Sequence, residues 1–65
     1  MTLQDAIKLV SPGDPFLRNM VKALESMPYL NTQDDNLRLQ AAKLVLRNRR
    51  KIKFIGGKER YAVID

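Results

Sequence analysis

This chain has no cysteine, no histidine and no tryptophan. Without cysteine no disulfide can staple the fold, and without cysteine or histidine the usual zinc ligand sets are unavailable. The same two absences remove the thiol nucleophile and the commonest general base, so acid–base or covalent catalysis has little to work with. No apolar run approaches the roughly 20 residues a membrane helix needs. The N-terminal Met1-Thr2-Leu3-Gln4-Asp5 lacks both the basic start and the apolar stretch of a secretory signal, so a cytoplasmic location is the expectation. There is no internal repeat and no low-complexity segment. The size alone is what a small prokaryotic or phage gene would encode.

What remains is a single small domain of 65 residues with 45% hydrophobic content, a net charge of +5 and a pI near 10. A chain this short buries only about 60% of its unfolded surface and is marginally stable. It therefore depends on a well-packed core, a partner or self-association. The hydrophobic content argues against disorder. The charge directs it toward polyanions, because a basic patch raises the local concentration of anionic partners.

Three helix starts can be read. Thr2 with Asp5 three residues later has the form of a capping box, and Leu3, Ala6, Ile7 and Val10 follow at helical spacing. This predicts a first helix over about 3–10, stopped by Ser11-Pro12-Gly13. Asp14 followed by Pro15 reads as N-cap and first helical position, predicting a second helix over about 15–27 with Leu17, Met20, Val21, Leu24 and Met27 as its apolar stripe. Pro28 ends it, and Tyr29 and Leu30 in the connection are expected to turn inward. Thr32, with Asp34 and Asp35 in the first turn, opens a third helix over about 33–49.

The third helix carries two apolar faces. Leu37, Ala41, Leu44 and Val45 share one. Leu39, Ala42 and Leu46 share another, and a polar stripe of Asn36, Gln40, Lys43, Arg47 and Arg50 lies between them. Most helices of small domains have one apolar face. Two faces mean either a central helix or a second face (Leu39, Ala42, Leu46) that meets another copy or a protein partner.

The tail, about 51–64, reads as a β-hairpin around Gly56-Gly57. Parity sets Ile52, Phe54, Tyr61 and Val63 on one face and Lys51, Lys53, Lys58 and Arg60 on the other. A four-residue loop pairs Phe54 with Tyr61 and Ile52 with Val63. The apolar face must pack on the helices, because a lone hairpin is barely stable. The expected core is thus Leu3, Ile7, Leu17, Met20, Val21, Leu24, Leu37, Ala41, Leu44, Val45, Ile52, Phe54, Tyr61 and Val63.

Seven of the twelve Lys and Arg residues lie between 47 and 60, at the junction of the third helix and the hairpin. A basic helix end also complements the helix dipole, and lysines on a ribbon guard against edge pairing, so part of this charge has structural uses. The carboxylates Asp5, Asp14, Asp34 and Asp35 are all accounted for by helix starts, and no metal site, cofactor or small-molecule substrate is expected. Three helices followed by a hairpin resembles a winged helix-turn-helix, and the expected fold is α+β with that arrangement. The resemblance lies in element order alone. It implies a third helix in the major groove and a hairpin wing on the backbone. The expectation is a non-catalytic, regulatory DNA-binding protein, plausible as a homodimer. Gln40, Lys43, Arg47, Arg50, Lys51, Lys53, Lys58 and Arg60 would contact nucleic acid, with Arg49 adding charge. The alternative is an interaction module that binds or inhibits a host protein, or assembles with its own copies, through the second face of the third helix. Phe54 and Tyr61 can stack on unpaired bases, but their place on the apolar ribbon face assigns them to the core.

Overall fold

Two Thr-Asp capping boxes start the first and third helices. In the computed structural model, which describes residues 1–57 and 60–64, the Asp5 amide donates to Thr2 Oγ1 at 3.2 Å and the Thr2 amide donates to Asp5 Oδ2 at 3.4 Å. The reciprocal pair at Thr32 and Asp35 is 3.1 Å in both directions. These caps satisfy amides that have no partner inside a helix. They open α1 (Leu3–Leu9) and α3 (Gln33–Arg47), with α2 (Leu17–Ser26) between them. A two-stranded antiparallel ribbon, β1 (Ile52–Gly56) and β2 (Arg60–Val63), completes an α+β fold of three helices and a C-terminal hairpin. No helix among the described residues is long and apolar enough to cross a membrane.

α2 begins two residues later than its sequence signals imply. Asp14 caps a tight turn instead of the helix: its Oδ1 accepts from the Phe16 amide at 2.8 Å. Asx side chains favour such local turns over direct helix entry. α3 ends at Arg47, short of the expected 49. Asn48 stops it, with both its amide and its side-chain nitrogen donating to the Leu44 carbonyl, at 3.0 and 2.9 Å. The chain then makes a 3-10 turn, Arg49–Lys51, so Arg50 leaves the polar stripe of α3.

α3 is the central element. α1 and α2 both pack on it, and the buried cluster draws Ala6 and Val10 from α1 and its cap, Leu17 from α2, and Ala41, Ala42 and Val45 from α3. Leu3, Ile7, Met20, Val21, Leu44, Leu46 and Ile52 pack around it. Alanines at the crossing let helix axes approach closely. This accounts for the two apolar faces of α3: they are served within one chain by two helices. Ala42 is 0% exposed, so it has no surface to offer a partner, and Leu39 and Leu46 are half-buried.

The ribbon has the expected pairing, Ile52 with Val63 and Phe54 with Tyr61. A bulge between Phe54 and Gly56 brings Gly56, instead of Ile55, opposite Arg60. Gly56 and Gly57 have φ of 101° and 69°, a conformation that side-chain-bearing residues adopt at a cost. β2 packs on α1, and the Tyr61 hydroxyl fills the space where a Cβ at position 13 would stand, so glycine there makes room for the phenol. The Ile64 amide donates to the Lys51 carbonyl at 2.6 Å and ties the ribbon base to the 3-10 turn.

Four expected inward placements fail in the same direction. Leu37 is exposed on the first turns of α3, and Phe54 is 56% exposed. Tyr29 and Leu30 do not turn inward: they are 80% and 65% exposed. The inward position in that 3-10 turn (Pro28–Leu30) is served by the next residue, Asn31, whose side-chain nitrogen donates to the Leu24 carbonyl at 2.7 Å. A polar side chain that closes a helix end takes precedence over apolar contact there.

Candidate nucleic-acid interface

From Asn36 to Gly57 the chain holds seven cations, Arg38, Lys43, Arg47, Arg49, Arg50, Lys51 and Lys53, and no carboxylate. The fold spreads them over three supports: α3, the 3-10 turn and the ribbon. On α3 the exposed side is the one the helical wheel marks as polar: Asn36, Gln40, Lys43 and Arg47 are all exposed. Beyond Asn48, the 3-10 turn presents Arg49, Arg50 and Lys51, all exposed.

Two concavities lie along α3 and its junction with the 3-10 turn. One, of about 250 Å³, is lined by Met1, Gln40, Lys43, Leu44 and Arg47. The other, of about 320 Å³, is lined by Leu46, Arg47, Asn48, Arg49, Arg50 and Lys51. Arg47 belongs to both, so it links the helix stripe to the connector. Leu46 therefore borders a cationic groove.

The ribbon adds a third part. Lys53 is paired with Ala62, and strand alternation places Ala62 and Arg60 on the same side, so Lys53 and Arg60 share the outer face. Lys51 lies just before the strand, in the 3-10 turn, and Lys58 lies outside the described residues. At the tip, Ile55, Gly56, Gly57 and Arg60 line a further open concavity.

One cation is partly committed elsewhere. Lys43 Nζ stands 3.2 Å from Glu25 Oε2, joining α3 to α2. Both side chains are about half exposed, so the pair contributes little to stability, but it lowers the net charge offered at that point of the stripe. It is the one ion pair among the described residues. Asp34 and Asp35 stand at the N-terminal end of α3, where they would repel phosphate. The cationic part of the surface therefore runs from the middle of α3 toward the ribbon.

Phe54, expected in the core, is exposed at this end, as is Ile55. A half-buried ribbon read by parity has one inward face along its whole length. Here β2 packs on α1 and the Tyr61 hydroxyl lies against Gly13, while Phe54 across the ribbon stays exposed.

No protein-family model matches the chain, and neither the curated proteins nor the solved structures contain a match.

Proposed function

We propose that this domain is a non-catalytic nucleic-acid-binding protein, with DNA as the first ligand to test and a regulatory role. It holds the phosphodiester backbone along a path from Lys43 and Arg47, through Arg49, Arg50 and Lys51, to Lys53 and Arg60. The observation that carries this reading is the carboxylate-free run of seven cations together with the grooves linked at Arg47. Arginine guanidinium suits phosphate because it can offer two parallel donors. Gln40 and Asn36, exposed beside this path, have the donor and acceptor groups to read base edges. The test is binding of labelled oligonucleotides as a function of salt, since phosphate contacts release counterions.

A second reading, association through protein surface, has one observation of its own. Met27, Tyr29 and Leu30 are exposed in one short stretch between α2 and α3, away in sequence from the cationic run. Exposed apolar patches of this kind mark interaction surfaces. The second face of α3 is less suited to it, because Ala42 is inside the core. If this reading holds, the protein sediments as a dimer or larger species, and Tyr29→Ser with Leu30→Ser returns it to monomer. A wild-type protein that sediments as a monomer at all loading concentrations argues against self-association.

A further inference from the structure

Resting on the nucleic-acid reading, we infer that the ligand is an unpaired strand and that Phe54 is the platform on which one of its bases stacks. Phe54 projects from the apolar side of the ribbon yet is 56% exposed. Its ring is braced by Tyr61, with centroids 5.3 Å apart and planes tilted by 56°. Tyr61 is itself anchored, because its hydroxyl lies against Gly13. The Phe54 ring is thus held in place by Tyr61 while more than half of the residue remains exposed, as a stacking platform requires.

Charge stands next to both rings. Lys53 precedes Phe54, and Arg60 precedes Tyr61, and both cations are on the opposite face of the ribbon. A two-stranded ribbon is only about 5 Å across between its strands, so long cationic side chains reach around its edge. A strand crossing the tip would set a base on Phe54 and its flanking phosphates near Lys53 and Arg60. Ile55, displaced by the bulge and 63% exposed, adds apolar surface beside them. Among the described residues, nothing lies within 4 Å of where a Cβ would stand at Gly56 or Gly57.

The strand state follows from access to base faces. In a duplex each base is covered above and below, and reaching it costs a few kcal/mol of unstacking. An unpaired strand exposes those faces at no such cost. Stacking on an aromatic side chain is tolerant of base identity, so the domain should bind with weak sequence preference.

The experiment is fluorescence anisotropy on three labelled ligands of about 15 nucleotides, the scale of single-strand site sizes: oligo-dT, oligo-rU and a mixed-sequence duplex. The expected result is tighter binding of at least one unpaired strand than of the duplex, and the two homopolymers tell DNA from RNA as its source. Phe54→Ala lowers affinity for that strand about tenfold, equivalent to about 1.4 kcal/mol, and changes duplex affinity less than about twofold. Phe54→Leu keeps the apolar bulk but not the ring and behaves as Phe54→Ala. Phe54→Tyr keeps the ring and binds as wild type. Circular dichroism confirms that each variant is folded. If the duplex binds as tightly as the unpaired strands, or if folded Phe54→Ala binds them within about twofold of wild type, this inference is overturned while the nucleic-acid reading stands. If neither duplex nor single strand binds at low salt, both fall together.

Discussion

Alanine at Arg47, Arg50 and Lys53 together is expected to weaken oligonucleotide binding about 100-fold at low salt while leaving the thermal midpoint almost unchanged. The magnitude rests on about 1 kcal/mol for each exposed charge–phosphate contact at low salt, the upper end for solvent-exposed pairs, and on about 1.4 kcal/mol per decade of affinity. The three residues sample the three supports: Arg47 the end of α3, Arg50 the 3-10 turn, Lys53 the ribbon. All are exposed, and none pairs with a described carboxylate. Their loss therefore removes ligand contacts without opening the core. The salt dependence should flatten as well, by about 0.7 of a unit of log–log slope per phosphate contact removed from an unpaired strand. A triple variant that binds as wild type, while still folded, would show that the cations serve only solubility and the helix dipole. The single variant Lys43→Ala should matter less than any of the three, because Glu25 already occupies that charge at 3.2 Å.

The largest effect on stability is expected at Leu17. It is 1% exposed and, with Val45, one of the two bulkiest fully buried side chains. Truncating a buried leucine to alanine costs about 2–5 kcal/mol through lost transfer energy and an unfilled cavity. A single core in a domain of this size rarely provides more than about 3–5 kcal/mol. Leu17→Ala should therefore leave a large part of the population unfolded at 25 °C, seen as lost helical circular dichroism and a urea transition with no native baseline. The rest of the buried cluster is valines and alanines, which offer little volume to close around the gap. Leu37→Ala serves as the contrast. Leu37 is exposed, and its truncation should cost under about 1 kcal/mol. If Leu17→Ala and Leu37→Ala unfold at similar urea concentrations, the assignment of the core is wrong.

The parts of this fold that were legible in the sequence are those set by local rules. Thr2 with Asp5 and Thr32 with Asp35 mark helix starts because a hydroxyl and a carboxylate three residues apart can serve each other's amides, and both boxes are formed. The pairing of Phe54 with Tyr61 and of Ile52 with Val63 follows from parity, and it holds even though the turn takes up a bulge at its end. The parts that escaped depend on which polar side chain closes which helix. Asn48 and Asn31 each donate a side-chain nitrogen to a helix carbonyl, and each displaces an expectation: one ends α3 before Arg50, the other leaves Tyr29 and Leu30 outside. Asparagine is an ordinary helix-end residue, so Asn48 could have been read as a stop.

The two apolar faces of α3 show a different limit. A helical wheel reports which faces are apolar but not whether the second cover is another helix of the same chain or another molecule. Here α1 and α2 divide the work, and Ala42 is sealed between elements of one chain. For the candidate site, the positions of Gln40, Lys43 and Arg47 on one exposed side of α3 were readable from helical periodicity. The groove shared through Arg47 and the open ring of Phe54 were not, because both depend on where the ribbon leaves the helical body. The chain measures 36 × 22 × 19 Å with a radius of gyration of 12.0 Å. A compact chain of this length would have a radius nearer 10.7 Å by the usual scaling, about 2.2·N^0.38.

The central claim is that phosphate neutralisation by this cationic surface drives binding, and the salt dependence of affinity tests it most directly. Dissociation constants for an unpaired oligonucleotide, measured by anisotropy from about 50 to 200 mM monovalent salt, should give a log–log slope of the association constant of about −3 or steeper. Four to six neutralised phosphates at about −0.7 each would produce that value. No binding at the lowest salt, or an affinity that changes little across the range, would contradict the account and leave the exposed Met27–Leu30 stretch as the better guide to what this protein meets.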